Sequence, residues 1–237
     1  MLNQTDIFTS DGDISDIKSD ITVKIHGAVM ALVKAEYAEK LHKQEYHPFS
    51  IFTLPRQGGY LIRVSTLNDE AEQITSVLCK EKKLIIFGMS EPLEIVGYDK
   101  STPISAETAG KYISQNICRL NFVTPAVIKS GGKPCCKPDI VKYFYSVVLK
   151  YNAFEGEQLS FSDFQTAFDS AEFSSYSLQS VSYNVSGNTY SGMTGFCDIR
   201  LPKNLEQANL LKKMFAYATY SGVGAKTGLG MGGFVIT

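Results

Sequence analysis

Apolar positions in the first hundred residues change period in a way that predicts alternating strands and helices. Residues 21–43 and 68–79 repeat apolar side chains at helical spacing. β-Rich runs occupy residues 2–9, 49–54, 59–65, 84–87 and 92–98, with a hairpin turn at 55–58 and an acidic loop at 11–20. The resulting order, β-α-β-β-α-β, is that of a ferredoxin-like fold.

The same order recurs after residues 100–106, which have the composition of a linker. Residues 112–127 are predicted as a strand, and residues 138–151 as a helix with Pro138 in its first turn. A helix near 161–170, a hairpin of 173–185 and 189–201, a helix at 204–217 and a strand at 233–237 follow. The sequence therefore predicts an α+β protein with two tandem ferredoxin-like (RRM-like) domains, residues 1–100 and residues 107–237.

Composition excludes several classes of protein. No apolar run reaches the roughly 18 residues of a membrane span, and the N-terminus lacks the layout of a signal peptide, which predicts a cytoplasmic protein. The five cysteines are odd in number and include no C-x-x-C pair. Neither a disulfide framework nor a zinc site is therefore predicted.

Glycines near the C-terminus form the most distinctive motif, since residues 220–237 read Y-S-G-V-G-A-K-T-G-L-G-M-G-G-F-V-I-T. Glycine allows positive φ and close approach of the backbone, and consecutive amides can bind an anion. A phosphate-bearing ligand is one interpretation, and a turn that merely packs its glycines is the other. A dinucleotide fingerprint would need a preceding strand, and a P-loop would need glycine in place of Ala225.

Residues 218–232 resemble, nearly letter for letter, the A-x-Y-S-G-V-G-x-K-T-G-x-G-M-G ending of the CRISPR-associated repeat-processing endoribonucleases, the Cas six family of RAMP proteins. Further segments resemble motifs of that family: residues 26–28, 41–43, 47–50, 122–125 and 191–196. The resemblance implies two ferredoxin-like domains, an antiviral endonuclease without a cofactor, and precursor CRISPR RNA as its substrate.

The same resemblance implies cleavage without metal, by attack of a 2′-hydroxyl on the adjacent phosphate. A base is then required near the 2′-hydroxyl and an acid near the 5′-oxygen, and histidine suits both roles. All three histidines lie between residues 26 and 47. The family's catalytic histidine follows a leucine, which matches His42; His47 is expected to stabilise the phosphorane, and His26 completes the predicted catalytic set.

An unbroken helix over residues 21–43 would separate His26 from His42 by about 24 Å, at about 1.5 Å per residue. The resemblance implies two helices instead, with a break near residues 34–36. Some relatives use a tyrosine on the first helix, but Met30 stands near that place in this chain.

RNA contacts are expected from the glycine-rich tail and from nearby cations. The net charge of −1 is unusual for an RNA-binding protein, although residues 126–150 hold five lysines and one acid. These features predict a small RNA footprint. The predicted RNA-binding residues are Gly222, Gly224, Lys226, Thr227, Gly230, Gly232, Arg200, Lys129, Lys133 and Lys137.

Two other functions remain open from the sequence. A non-catalytic RAMP-type subunit that binds guide RNA in a CRISPR effector (Cascade-type) complex would share the fold and the glycine-rich tail. A nucleotide-binding regulatory domain would use the tail as a phosphate loop. The repeat-processing endoribonuclease is the first expectation, acting as a monomer or homodimer, with a Cascade-type complex as a further partner.

Overall fold

The computed structural model describes residues 1–10, 21–130, 133–135, 139–185 and 187–237, without side-chain detail for residues 129–138. The predicted loop at 11–20 and Pro138 lie outside these residues. The N-terminal domain contains β1 (Asn3–Thr9), α1 (Ile21–Leu32), α2 (Ala35–Lys43), β2 (Phe49–Arg56), β3 (Gly59–Thr66), α3 (Glu72–Leu78), β4 (Lys83–Leu84) and β5 (Leu93–Lys100).

The five strands form one antiparallel sheet in the order β2-β3-β1-β5-β4. Its core joins Ile25 and Val29 of α1 to Ile51, Ile62 and other inward strand residues. Along β1, buried and half-buried side chains alternate, which is the period-2 pattern of a strand.

The C-terminal domain contains α4 (Ala106–Lys111), β6 (Ile117–Ala126), β7 (Ile128–Ser130), β8 (Lys133–Cys135), α5 (Ile140–Phe154), α6 (Phe161–Asp169), β9 (Glu172–Val185), β10 (Asn188–Arg200), α7 (Leu205–Ser221) and β11 (Phe234–Ile236). Its main sheet has the order β11-β6-β10-β9. In both domains the first strand of the β-α-β-β-α-β unit lies between the third and fourth strands of that unit. Strand β1 lies between β3 and β5, and strand β6 lies between β10 and β11. The predicted fold of two tandem ferredoxin-like domains is therefore confirmed, whereas the boundaries at residues 100 and 107 stay a prediction.

Aromatic side chains fill the C-terminal core. The Phe144 ring of α5 lies 5.4 Å from Phe164 of α6, 5.3 Å from Phe215 of α7 and 5.6 Å from Phe234 of β11 between ring centroids. Large rings contribute most of the buried area in such a core, so this cluster fixes α5 against the sheet.

Several element boundaries differ from the sequence prediction. The strand expected over 112–127 begins only at Ile117, because residues 106–111 form α4, capped by the Ser105 hydroxyl on the Thr108 amide. The strand expected at 84–87 is limited to β4, and the helix expected at 68–79 begins at Glu72. Strands β7 and β8, which were not predicted from the sequence, pair with each other in an antiparallel ladder.

The segment 21–43 consists of two helices, as the resemblance implied. Helix α1 ends at Leu32, Lys34 is extended at φ −59° and ψ 136°, and α2 begins at Ala35. The Lys34 carbonyl accepts the amides of Tyr37 and Ala38 and so starts the new helix. Tyr37 and Leu41 of α2 are buried in the same core as α1, and this packing holds the bend.

Residues 222–233, termed the Gly-rich segment, lie where the two domains meet. Just before the segment, the Tyr220 carbonyl accepts the Ser50 hydroxyl of β2 at 2.6 Å. Met231 packs with Tyr183 of β9, and Val23 of α1 packs against the same cluster. In the described part of the chain, no helix is long and apolar enough to cross a membrane.

Candidate functional site

A cleft of about 970 Å³ separates the two domains beside the Gly-rich segment. The N-terminal domain contributes His26 and residues 45–47, the C-terminal domain contributes one face of α5, and residues 224–229 form the wall between them. Concave sites of this size between domains are typical ligand sites.

Two of the three histidines line this cleft. His26 is in α1, and His47 lies in the short connection between α2 and β2. Both rings contact Phe49: the centroid of His26 lies 6.0 Å from it and that of His47 lies 5.6 Å from it. The Nδ1 atoms of both histidines are buried, and no hydrogen-bond partner is found for either among the described residues. The shared phenyl ring therefore brings together two residues that are far apart along the chain.

Burial favours the neutral form of both imidazoles. It lowers the pKa of His26 to about 4, together with the charges of His47 and His42, although a hydrogen bond with the Gly228 backbone raises it. Burial also lowers the pKa of His47, followed by the charges of Lys150 and His42. Both rings are consequently neutral at pH 7 and able to accept a proton.

His42 has a different environment. It is exposed in the last turn of α2 and is not among the residues that line the cleft. Its charge nevertheless acts on His26 and His47, so the bend between α1 and α2 places the three histidines in one electrostatic group.

Glycines of the Gly-rich segment are required first by packing. Gly224 has φ +76°, and a Cβ there would lie 2.2 Å from the Val127 carbonyl oxygen; Gly232 has φ +66° and would meet the Val223 carbonyl oxygen at 1.9 Å. No side chain fits at such distances. All four glycines predicted to contact RNA are buried against this chain's own atoms: Gly222, Gly224, Gly230 and Gly232.

The middle of the segment is the part that faces the cleft. The Gly224 amide donates to the Ser146 hydroxyl at 2.8 Å, so the first turn of the Gly-rich segment is hydrogen-bonded to α5. Thr227 and Gly228 begin a single 3₁₀ turn that ends at Leu229, and all three line the cleft. Among the hydrogen bonds of the described residues, none uses the amides of Thr227 or Gly228. The packing interpretation therefore applies to the ends of the segment, whereas phosphate binding by its middle stays a prediction.

Lys226 adopts a left-handed backbone conformation that is unusual for a lysine. It is the one non-glycine residue with positive φ in the described chain, at φ 62° and ψ 31°. Its ammonium lies 5.0 Å from the Tyr190 ring centroid of β10, a cation–π contact. A strained left-handed lysine persists only when the surrounding structure fixes it, and here it places a cation at the cleft.

Lys150 is the residue of the site that the sequence prediction missed. Its side chain is only 6% exposed, and its ammonium donates to the Ser221 carbonyl at 2.6 Å and to the Thr227 hydroxyl at 2.5 Å. Burial lowers its pKa to about 7. A signal existed, because Lys150 shares the buried helical face of Val147 and Tyr151.

Other predicted RNA contacts lie elsewhere or are not described. Arg200 ends β10, is exposed, and pairs with Glu172 at 3.5 Å, and it is not among the residues that line the cleft. Lys129 and Lys133 belong to β7 and β8, and their side chains lie outside the described part of the structure. Lys137 lies outside the described residues altogether. These four assignments stay predictions.

Comparison with known proteins supports the same family. The family model of the CRISPR-associated endoribonuclease Cas6 matches residues 120–234. The chain is 25% identical over 224 residues to the CRISPR-associated endoribonuclease Cas6 of Streptococcus thermophilus, covering 90% of each protein.

Solved structures with the same fold extend over the whole chain. One Cas6 product complex aligns with a TM-score of 0.80 at 23% identity, and another with a TM-score of 0.82 at 20% identity; both alignments cover all of both chains. The resemblance to the CRISPR-associated repeat-processing endoribonucleases, predicted from the C-terminal motif, is therefore confirmed.

Proposed function

We propose that this protein cleaves precursor CRISPR RNA within its repeats, as an endoribonuclease that needs no metal ion. The observation that carries the proposal is the cleft in which His26 and His47 face the Gly-rich segment, with the cations Lys150 and Lys226 beside them. The name of the Streptococcus thermophilus relative, an endoribonuclease, supports RNA as the substrate.

The reaction is a transesterification within the RNA. The 2′-oxygen forms a bond to the adjacent phosphorus while the bond from phosphorus to the 5′-oxygen breaks. A base takes the proton of the 2′-hydroxyl, and an acid gives a proton to the departing 5′-oxygen. The products are a 2′,3′-cyclic phosphate and a 5′-hydroxyl. DNA lacks the attacking hydroxyl and is not cleaved.

The histidine group supplies the proton transfers. Burial keeps His26 and His47 neutral, which suits proton acceptance, and His42 stands beside them at the end of α2. Since His42 and His47 both lower the pKa of His26, and His42 lowers that of His47, we assign the acid and base functions to the group as a unit.

Positive charge near the phosphorane comes from lysines. Lys150 lies under Thr227 with an ammonium whose pKa is about 7. A phosphate that enters the cleft favours the protonated form of a nearby lysine, so substrate binding itself increases the charge of Lys150. Lys226 adds a donor, and so do the amides of Thr227 and Gly228, which make no hydrogen bond among the described residues. These donors position the RNA backbone without reading the RNA sequence.

The test is a cleavage assay with the CRISPR repeat RNA of the source genome in EDTA. A matched RNA carries one 2′-deoxy substitution at the cleavage site. Cleavage of the first RNA alone, with a cyclic phosphate and a 5′-hydroxyl at the new ends, is expected. Cleavage of both RNAs, or activity only with added metal, would contradict the chemistry, and tight binding without cleavage would indicate a non-catalytic RNA-binding subunit.

A further inference from the structure

Helix α5 turns one continuous stripe of side chains toward the cleft. Lys142, Tyr145, Ser146, Leu149 and Lys150 recur at intervals of three and four residues and all line it. Lys150 lies at the Gly-rich end of the stripe, where it contacts Thr227. Tyr145 precedes it by five residues, about 7.5 Å along the helix axis at about 1.5 Å per residue.

An aromatic surface surrounds Tyr145. Its ring is 50% exposed, and the ring of Phe161 meets it edge to face, 5.0 Å away at 87°. Tyr46 lines the same cleft from the N-terminal domain. Phe161 in turn stacks on Phe164, a fully buried ring of the core, at 6.1 Å. The Tyr145 ring is therefore packed against Phe161, while half of its surface stays exposed in the cleft.

An open aromatic ring beside a row of cations is suited to one kind of ligand. Nucleobases stack on tyrosine rings, while lysines such as Lys142 and Lys150 hold the phosphates on either side. An aromatic side chain needed only for the core would be buried like Phe164. A base inside a double helix has both of its faces covered by the neighbouring bases. An unpaired nucleotide has a free face and therefore fits such a platform.

We propose that Tyr145, packed against Phe161 in the cleft that Tyr46 also lines, stacks one unpaired nucleobase next to the phosphate held at Lys150. This inference rests on the proposed function, since it assumes that RNA occupies the cleft. Every base has a π-face, so the platform selects a nucleotide that is single-stranded, whatever its identity. The preferred substrate is therefore a repeat whose nucleotide beside the cleavage site is unpaired.

The test measures binding of repeat RNA in which single nucleotides around the cleavage site are replaced, one at a time, by abasic ones. RNA with a 2′-deoxy cleavage site is used throughout, so that no RNA is cut. Wild-type protein is expected to lose about 5- to 150-fold in affinity at one position, the range that corresponds to one base stack. Tyr145→Leu is expected to lose the same factor on intact RNA and to be insensitive to that abasic position.

Tyr145→Phe keeps the ring and is expected to bind like wild type, as is Tyr112→Leu, which changes a tyrosine that is 77% exposed outside the cleft. Because stacking releases no counterions, the salt dependence of binding should not change in Tyr145→Leu. An abasic penalty that is absent in wild type, or equal in wild type and Tyr145→Leu, overturns the stacking site.

The outcomes separate this inference from the proposed function. If wild-type protein cleaves unmodified repeat RNA in a separate assay but shows no abasic penalty in the binding assay, the stacking site is removed and the proposed endoribonuclease stands. Failure of wild-type protein to bind any repeat RNA removes both.

Discussion

Replacement of Lys150 by methionine tests whether the buried lysine sets the geometry of the site. Methionine keeps an unbranched chain as far as the ε position but removes the ammonium that donates to Ser221 and Thr227. Two buried acceptors lose their donor, at a cost of about 1–3 kcal/mol each. The same substitution also removes a charge that burial disfavours.

The size of that second effect follows from the pKa of Lys150, which burial lowers from 10.5 to about 7. At about 1.4 kcal/mol per pH unit, burial disfavours the charged form by roughly 5 kcal/mol. The two effects largely offset each other, so the variant should fold with a stability near that of wild type at pH 7.

The pH dependence of stability separates the loss of the two hydrogen bonds from the removal of the buried charge. The pKa of Lys150 is lower in the folded than in the unfolded state, so the unfolded state binds more protons between pH 7 and pH 10.5. Stability therefore rises with pH across that window, and Lys150 alone contributes on the order of 2 kcal/mol between pH 7 and pH 9. Lys150→Met should lack this increment.

The assay is urea denaturation of wild type, Lys150→Met and Lys142→Met at pH 7 and pH 9. Lys142 is on the same helix but exposed and paired with Asp139 at 2.5 Å, so its variant should keep the wild-type increment. Equal increments in all three proteins would refute the account of Lys150. Cleavage of repeat RNA by Lys150→Met should fall by more than about tenfold, because Thr227 loses the donor that fixes it.

Three further predictions concern the histidines and the Gly-rich segment. His42→Ala should lower the single-turnover cleavage rate about 10²- to 10⁴-fold at unchanged RNA affinity, and a rate within about threefold of wild type would exclude a proton-transfer role. Lys226→Met should weaken RNA binding and reduce the salt slope of the affinity by about one, whereas Lys111→Met, on α4, should leave the slope unchanged; equal slopes would contradict a phosphate contact. Gly232→Ala should lower the melting temperature strongly, since φ is +66° and the added Cβ meets the Val223 carbonyl at 1.9 Å, while Gly27→Ala, in α1 with no atom near its Cβ, should raise it slightly; similar values for both would refute the packing role.

The fold could be predicted from local sequence pattern because each strand is one short continuous segment whose own residues show the strand pattern. The alternating residues of β9 and β10 and the turn between them specify that hairpin without help from distant parts of the chain. Helix α4 escaped prediction because six residues rich in small and polar side chains show no period, and its place depends on contact with α7, where Gly110 meets the backbone of Lys213.

Parts of the site were less accessible to sequence reasoning. No glycine or proline marks the bend after Leu32, which depends on the burial of Tyr37 and Leu41 in the domain core. The sequence did not predict a role for Lys150 in the site, because its partners, Ser221 and Thr227, are more than 70 residues away along the chain. The helical period places Lys150 on the buried face of α5, but it does not show which distant atoms the ammonium meets.

The central claim is that the scissile phosphate lies in the cleft between the two domains. A crystal structure of the protein with repeat RNA that carries a 2′-deoxy cleavage site tests it directly. The account predicts that this phosphate lies within hydrogen-bond distance of the Thr227 or Gly228 amide, with His47 and Lys150 beside it. A scissile phosphate outside the cleft, away from all three histidines, would contradict the account.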